Sequence, residues 1–412
     1  FFFKQKTAYE IKECDWSSDV CSSDLFFGTT DTTTATTGPV TTVRTNESID
    51  IGSTNVITGG IVLNGGTTAN LLTIDTTDDS IRFNGPLTLS TDVSINTRST
   101  SGGNVLFTND ASIDSFASEA NDLTINAGTA NVFFNEDIGG ATNGQLGRLI
   151  IQRADAGVTC GGGDDESSAD NGPVNVINLV GDSTTANALD IGSTNAIAGT
   201  GIIFNGGTIT AGDKLTITTS NDAIRLNGAI TLATDLRIDT DVAAATGTEV
   251  GSVLFTNNAS IDSSATEAND LVIDAGTASV FFNEDIGAFD TNTQLGRLEV
   301  EQADGGVTFS QTDTETGDTG PINEINLVGD STTANALDIG SLSVITGGIV
   351  FNGGTVTAGD KLTITTSNDA IRLNGAITLA TDLRIDTDIA AASGTEVGKV
   401  LFTRNASIDS SS

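Results

Sequence analysis

Leu215-Thr-Ile-Thr-Thr-Ser-Asn-Asp-Ala-Ile-Arg-Leu-Asn-Gly-Ala-Ile-Thr-Leu232 is the stretch whose reading decides the fold. Leu215/Ile217 and Ile224/Leu226 are apolar pairs two residues apart, a spacing that puts both side chains on one face of a strand. Ser220-Asn221-Asp222 and Asn227-Gly228 separate the short apolar runs, and such residues mark tight turns. Ala229-Ile-Thr-Leu-Ala233 supplies a weaker third strand. No stretch carries the 3.6-residue apolar period of a helix.

The same pattern recurs along the chain. The [Ile/Val]-x-[Phe/Leu] element appears at Ile202/Phe204, Ile224/Leu226, Val253/Phe255, Val280/Phe282 and Val307/Phe309, its second members spaced 22, 29, 27 and 27 apart. A Leu-x-[Ile/Val] element precedes each, at Leu189/Ile191, Leu215/Ile217, Leu236/Ile238, Leu271/Ile273 and Leu298/Val300. Two or three short strands per coil cannot bury their own apolar face, but stacked coils can. The fold expected is therefore all-β, a right-handed parallel β-helix with coils of roughly 20–29 residues.

Above the coil lies a longer repeat. Ser183-Thr-Thr-Ala-Asn-Ala-Leu-Asp-Ile-Gly192 returns as Ser331–Gly340, a shift of 148, and Asp50-Ile51-Gly52-Ser53 corresponds to Asp190–Ser193, a shift of 140. Three of the four prolines, Pro39, Pro173 and Pro321, fall at one equivalent place. The long repeats run over approximately 38–171, 172–319 and, in part, 320–412.

The N-terminal segment reads differently. Lys4-Gln-Lys-Thr-Ala-Tyr-Glu10 and Cys14-Asp-Trp-Ser-Ser-Asp-Val-Cys-Ser-Ser-Asp-Leu25 read back, codon by codon, as sequencing-library adapter, with Ile11-Lys-Glu13 over the variable index. Residues 1–25 are accordingly set apart as adapter-derived and non-native, and 26–412 as the repeat region. Two of the three cysteines, the single Trp and the single Tyr belong to the adapter string. The remainder has no His and no Met and stops on Ser-Ser-Ser, which reads as an internal piece of a longer frame.

Charge narrows the partners. The net charge is −37, from 17 basic and 54 acidic residues; removing the adapter's 3 basic and 5 acidic residues leaves 14 and 49, a net of −35. Such a field repels nucleic acid and anionic membranes, so neither is expected as a partner. No apolar run reaches the roughly 18 residues of a membrane helix, so direct membrane insertion is not expected either. Near-absence of thiols fits an exported protein that does not rely on disulfides.

Strings such as Ala223-Ile-Arg-Leu-Asn-Gly-Ala-Ile-Thr-Leu232 and Asp270-Leu-Val-Ile-Asp-Ala-Gly-Thr-Ala-Ser-Val-Phe-Phe-Asn283 resemble large bacterial β-strand-repeat surface proteins, akin to filamentous-haemagglutinin-like and autotransporter-type adhesins. The resemblance spans essentially all of 26–412. It implies export, a secreted or cell-surface location associated with the bacterial outer membrane, and a host surface, neighbouring cell or glycan as the partner. Its matching residues are scaffold residues and name no binding site.

Candidate chemistry is sparse. Without His, a Ser/His/Asp triad or a zinc site lacks material. Cys160 stands where the next copy has Phe309, which reads as a buried, inert thiol. Gly161-Gly-Gly163 has no following Lys or helix to make a phosphate loop. Parallel β-helices can host polysaccharide hydrolases and lyases, so the carboxylate pairs Asp239/Asp241 and Asp386/Asp388 are weighed as acid–base candidates. They occur in both copies, whereas an active site is built once. No catalytic residue and no cofactor is therefore assigned. Calcium remains the one candidate ion, on the acidic insertions that carry Asp164, Asp165 and Glu166, and Asp313, Glu315 and Asp318, although metal-loop spacing is absent. Asn64, Asn84, Asn135, Asn205, Asn227, Asn283, Asn352 and Asn374 follow the apolar pairs and are expected to turn the chain and form a structural ladder. The functional expectation is a structural, adhesive repeat stalk, with a β-helix carbohydrate-active enzyme or a passive surface-layer component as alternatives.

Overall fold

A computed structural model describes residues 25–27, 40–65, 71–98, 100–117, 119–162, 171–181, 187–206, 214–242, 251–264, 267–287, 292–310, 322–329, 335–353, 361–388 and 398–411. The six calcium candidates, Asp164, Asp165, Glu166, Asp313, Glu315 and Asp318, lie outside the described residues. Every described element is a short β-strand, and every strand pair named below is parallel. The chain divides into two compact units, Phe1–Val180 with Ile191–Thr200, and Gly181–Asp190 with Gly201–Ser412.

The first unit stacks its strands in three columns. One runs Leu25–Phe27, Ile61–Leu63, Leu87–Leu89 and Ile113–Ser115, and continues through the single bridges Ile113↔Ile138↔Ile177. The second runs Thr42–Arg44, Leu72–Asp75, Val93–Asn96, Leu123–Gly128 and Leu149–Ala154. The third runs Ile49–Ile51, Ile81–Phe83, Val105–Phe107, Asn131–Phe134 and Gly157–Cys160. Consecutive strands of the chain belong to different columns, which is the topology of a parallel β-solenoid.

The apolar pairs fill its interior. Ile81/Phe83, Val105/Phe107 and Val132/Phe134 are all at most 1% exposed. Because Phe83, Phe107 and Phe134 are register partners, their rings stack at 5.3 and 5.1 Å with interplanar angles of 9° and 4°. Cys160 takes the next place in that row, paired with Phe134 and 1% exposed.

The second unit has the same three-faced plan. Its first face holds Lys214–Thr219, Asp235–Asp239, Leu271–Asp274, Leu298–Gln302, Leu337–Ile339, Ile371–Leu373 and Val400–Phe402. Its second holds Ile224–Leu226, Val253–Phe255, Ser279–Phe282, Gly306–Phe309, Ile345–Phe351, Gly375–Leu379 and Ile408–Ser410. Gly228–Leu232, Ile261–Ser263, the bridged Ile286, Glu324–Leu327, Lys361–Thr366 and Asp382–Asp386 make the third. Phe255, Phe282, Phe309 and Phe351 stack along the second face at 5.1, 5.2 and 5.1 Å.

Coil length varies more than the sequence reading allows. Along the register Ile49↔Ile81↔Val105↔Val132↔Val158 the chain number advances by 32, 24, 27 and 26. Along Leu215↔Leu236↔Leu271↔Leu298↔Leu337↔Ile371↔Val400 it advances by 21, 35, 27, 39, 34 and 29. Stacking fixes the strands alone, and segments added between strands cost little because loop closure grows slowly with length.

The long repeat is also out of step with the turn. Lys214–Thr219 on the first face has its copy Lys361–Thr366 on the third, and Ile224–Leu226 on the second face has its copy Ile371–Leu373 on the first. Counted strand by strand, the path from Leu215 to Leu362 makes four full turns and two further faces. Within the second unit these motifs therefore move one face round from one copy to the next.

Candidate functional site

The polar side chains that recur with the long repeat converge on the strands carrying Asp-Ile-Gly and Ile-Arg-[Phe/Leu]-Asn. In the first unit Arg82 Nη1 lies 3.1 Å from Asp50 Oδ1 and 3.3 Å from the Gly52 carbonyl on the preceding coil. Asn84 Nδ2 donates to that same carbonyl at 2.8 Å, and Asn84 Oδ1 accepts the Thr108 hydroxyl of the following coil at 2.9 Å. In the second unit Arg372 Nη1 reaches Asp338 at 2.8 Å and the Gly340 carbonyl at 2.9 Å, while Asn374 donates to Gly340 at 2.9 Å and accepts from Thr403 at 2.8 Å. Arg225 with Asp190, and Asn227 with Thr256, repeat the arrangement at 3.1 and 2.9 Å.

Local backbone makes this possible. Gly52 and Gly340 have φ of 81° and 80°, and a Cβ on Gly340 would lie 2.6 Å from the Ser343 carbonyl and 2.9 Å from that of Asn374. Only glycine tolerates both the dihedral and that approach.

The eight asparagines singled out above divide three ways. Asn84 and Asn374 tie one coil to the coils on either side through Gly carbonyls and Thr hydroxyls, and Asn227 accepts the Thr256 hydroxyl of the following coil. Asn135 and Asn283 are wholly buried, and the Asn135 amide has no hydrogen-bond partner for its Nδ2 or Oδ1. Asn64, Asn205 and Asn352 are half-buried, and the Asn352 backbone N–H donates to the Phe309 carbonyl at 2.9 Å. None of the eight has a positive φ; left-handed backbone falls instead at Asp78, Asn143, Asn221, Asn292 and Asn368, among others.

The carboxylate pairs are engaged in turns and ion pairs. Asp239 Oδ1 accepts the Asp241 N–H at 3.1 Å, and Asp386 Oδ1 accepts that of Asp388 at 3.2 Å. Arg237 lies among Asp239, Asp274 and Glu301 at 3.3, 3.8 and 2.8 Å, joining three successive coils of the first face. Partial burial raises the Asp274 carboxyl, the Gly276 N–H opposes this, and Asp239 and Glu301 raise it further. Asp137 Oδ1 accepts the N–H groups of Asn175 and Val176 at 2.7 and 3.0 Å. Beside it, burial raises Glu136 and Asp114; the equivalent Glu284 is raised for the same reason.

Other candidates settle in the same way. Burial alone pushes the Cys160 thiol up to about 12, so it holds no thiolate at neutral pH. The amides of Gly161 and Gly162 are spent on the Phe134 and Gly172 carbonyls. Among the described residues no group of three His, Cys, Asp or Glu is placed to hold a metal ion, and no helix is long and apolar enough to cross a membrane.

Sequence reading passed over Asp50, Asp338, Arg82, Arg372, Thr108 and Thr403. The available signal was a charge pair of fixed sign at a nearly fixed separation of 32, 35 and 34 in successive copies. Comparison with protein-family models, with curated proteins and with solved structures finds no match in any of the three. The fold and its recurrent bonds define the class, a parallel β-solenoid.

Proposed function

We propose that this chain is a structural, adhesive repeat stalk of a large secreted or cell-surface bacterial protein, associated with the outer membrane, and that no catalysis resides in it. One observation carries the reading: the recurrent Asp–Arg pairs and Gly–Asn–Thr links are coil-to-coil bonds, as in Asp338–Arg372 and Gly340–Asn374–Thr403. An active site needs convergent groups held for a substrate. Here the carboxylates of Asp239 and Asp386 cap turns beside their own arginines. Repetition sets reach, and the acidic surface keeps the stalk soluble and clear of anionic membranes. A host surface, neighbouring cell or glycan is the partner consistent with this design; nucleic acid is not.

Beads coated with the full chain, flowed over cells and an immobilised glycan panel, test the adhesive part. Retention above that of albumin-coated beads is expected on at least one surface, and uniform failure to adhere contradicts it. Incubation with plant and bacterial polysaccharides tests the rest: release of reducing or unsaturated ends would favour a carbohydrate-active enzyme.

A further inference from the structure

Asparagine followed by glycine is a pair prone to rearrange through its own backbone, because a residue without a Cβ leaves its N–H unhindered and free to swing towards the asparagine amide. The chain carries eight such pairs, and the fold separates them. Asn84, Asn227 and Asn374 are buried, and each amide oxygen accepts a threonine hydroxyl of the following coil at 2.9, 2.9 and 2.8 Å. Asn64, Asn171, Asn205 and Asn352 are half-buried. Asn143 alone of the eight is exposed, and it alone has a positive φ, 61°.

A twin of this turn lies in the second unit. Asn292 is also exposed and has φ of 56°. The Thr293 carbonyl accepts the Ser263 N–H at 2.8 Å, as the Gly144 carbonyl accepts that of Ser115 at 2.8 Å. Threonine thus stands in one turn where glycine stands in the other. Thr293 places its hydroxyl 3.1 Å from Asp262. A Cβ on Gly144 would come 2.8 Å from Asp114 Oδ1, the far end of the equivalent side chain, so the first turn has room for the same threonine after a small adjustment. At Asn143 the turn bond in the way of rearrangement is that from the Gly144 N–H to the Ala141 carbonyl, 2.9 Å.

We propose that Asn143 is a site of spontaneous covalent modification, a deamidation that runs through a cyclic imide formed with Gly144. The Gly144 nitrogen bonds to the Asn143 side-chain carbonyl carbon, and the amide group leaves as ammonia, taking the nitrogen's proton with it. Water then opens the ring at either carbonyl, giving aspartate or, with the backbone routed through the side chain, isoaspartate. Water is the only co-reactant. Both products put a new carboxylate, ionised at neutral pH, on the turn where Asp114 accepts the Ala141 N–H at 3.0 Å. Isoaspartate also adds a methylene to the backbone that delivers the Gly144 carbonyl to Ser115. The inference does not depend on the stalk reading.

The full chain, kept in warm, mildly alkaline buffer and sampled over days, is digested and mapped by mass spectrometry, with a protein-isoaspartate methyltransferase as the probe for the isoaspartyl form. Conversion at residue 143 is expected to run severalfold ahead of Asn292 and of every other Asn-Gly pair. Gly144→Thr, which copies the twin turn, should lower it to the rate of Asn292 while the circular dichroism stays unchanged. In unfolding urea the Asn-Gly pairs should convert at similar rates, because the selectivity belongs to the fold. Conversion at residue 143 no faster than at Asn292, or matched by another Asn-Gly pair, overturns the proposal. So does an unchanged rate in Gly144→Thr, or the same lead for residue 143 in urea.

Discussion

Arg372 on one coil and Asp338 on the coil before it are register partners on neighbouring parallel strands, and their side chains close to 2.8 Å across the outer face. The same pair forms at Arg82–Asp50 and Arg225–Asp190, each at 3.1 Å. Parallel stacking puts like residues over like, so identical charges in successive coils would repel. Placing the base on the coil after the acid gives attraction at these three pairs.

The Arg372–Asp338 pair is partly buried, with side chains 23% and 12% exposed. Arg372→Ala should therefore destabilise the chain by about 1–3 kcal/mol, more than a surface pair and less than a fully buried one. A urea-unfolding cycle with Asp338→Ala measures the coupling. Additive single effects would show that the bond to the Gly340 carbonyl, rather than the ion pair, is what the arginine supplies.

Phe282 stacks between Phe255 and Phe309 at 5.1 and 5.2 Å and is fully buried. Phe282→Ala is expected to cost about 3–5 kcal/mol, and Phe282→Leu clearly less, because leucine leaves a smaller cavity. A cost for Phe282→Ala near that of Phe281→Ala, whose side chain points outward, would mean that the row is not the core.

Acidity should stabilise the fold. Burial raises Asp114, Glu136, Asp274 and Glu284 above their ordinary values of 3.8 and 4.5. A raised folded-state value means that the folded chain holds its proton more tightly than the unfolded one. Stability is then fully present below the ordinary values and lost as pH rises through the raised ones. Self-repulsion at a net charge of −37 acts in the same direction. The melting temperature is expected to climb as pH falls from 7 towards those ordinary carboxyl values, and Glu136→Gln with Glu284→Gln should flatten the climb. A fall over that range contradicts the assignment.

Much of this architecture was legible in the sequence. Pairs such as Ile224/Leu226 and Val280/Phe282 announce which side chains point inward, since side chains alternate along a strand. They do not say which face a strand joins. That depends on how many strands intervene, and Ile286 holds a face through one isolated bridge on each side, to Ile261 and Ile325, with no strand of its own. The one-face shift between copies was hidden for that reason. Asn227 and Asn374 were visible as recurrent residues, but their work lies between coils, with the partners Thr256 and Thr403 a whole turn further along the chain. Left-handed turns fell on Asn221 and Asn368, one element earlier, because the corner there closes by Thr219 and Thr366 hydroxyls on the Asp222 and Asp369 carbonyls.

We propose, from the adapter reading, that residues 1–25 contribute nothing to the core, although Leu25 opens the first described strand, Leu25–Phe27. Deleting them should leave the melting temperature and the far-ultraviolet circular dichroism per molecule of folded strand unchanged. A marked loss of stability would show that the segment belongs to the protein.

Phe281, Thr308, Val350, Thr378 and Asp409 are successive register partners on the second face. Spin labels at Phe281→Cys and Asp409→Cys, in a chain whose three cysteines are replaced, measure that row directly. Four strand spacings of about 4.8 Å give a backbone separation of roughly 19 Å between these two positions, far apart as they are in sequence. A narrow double electron–electron resonance distribution near that distance, allowing for the label arms, is the result that coil-on-coil stacking requires. A broad distribution, or one centred far beyond it, would contradict the solenoid itself.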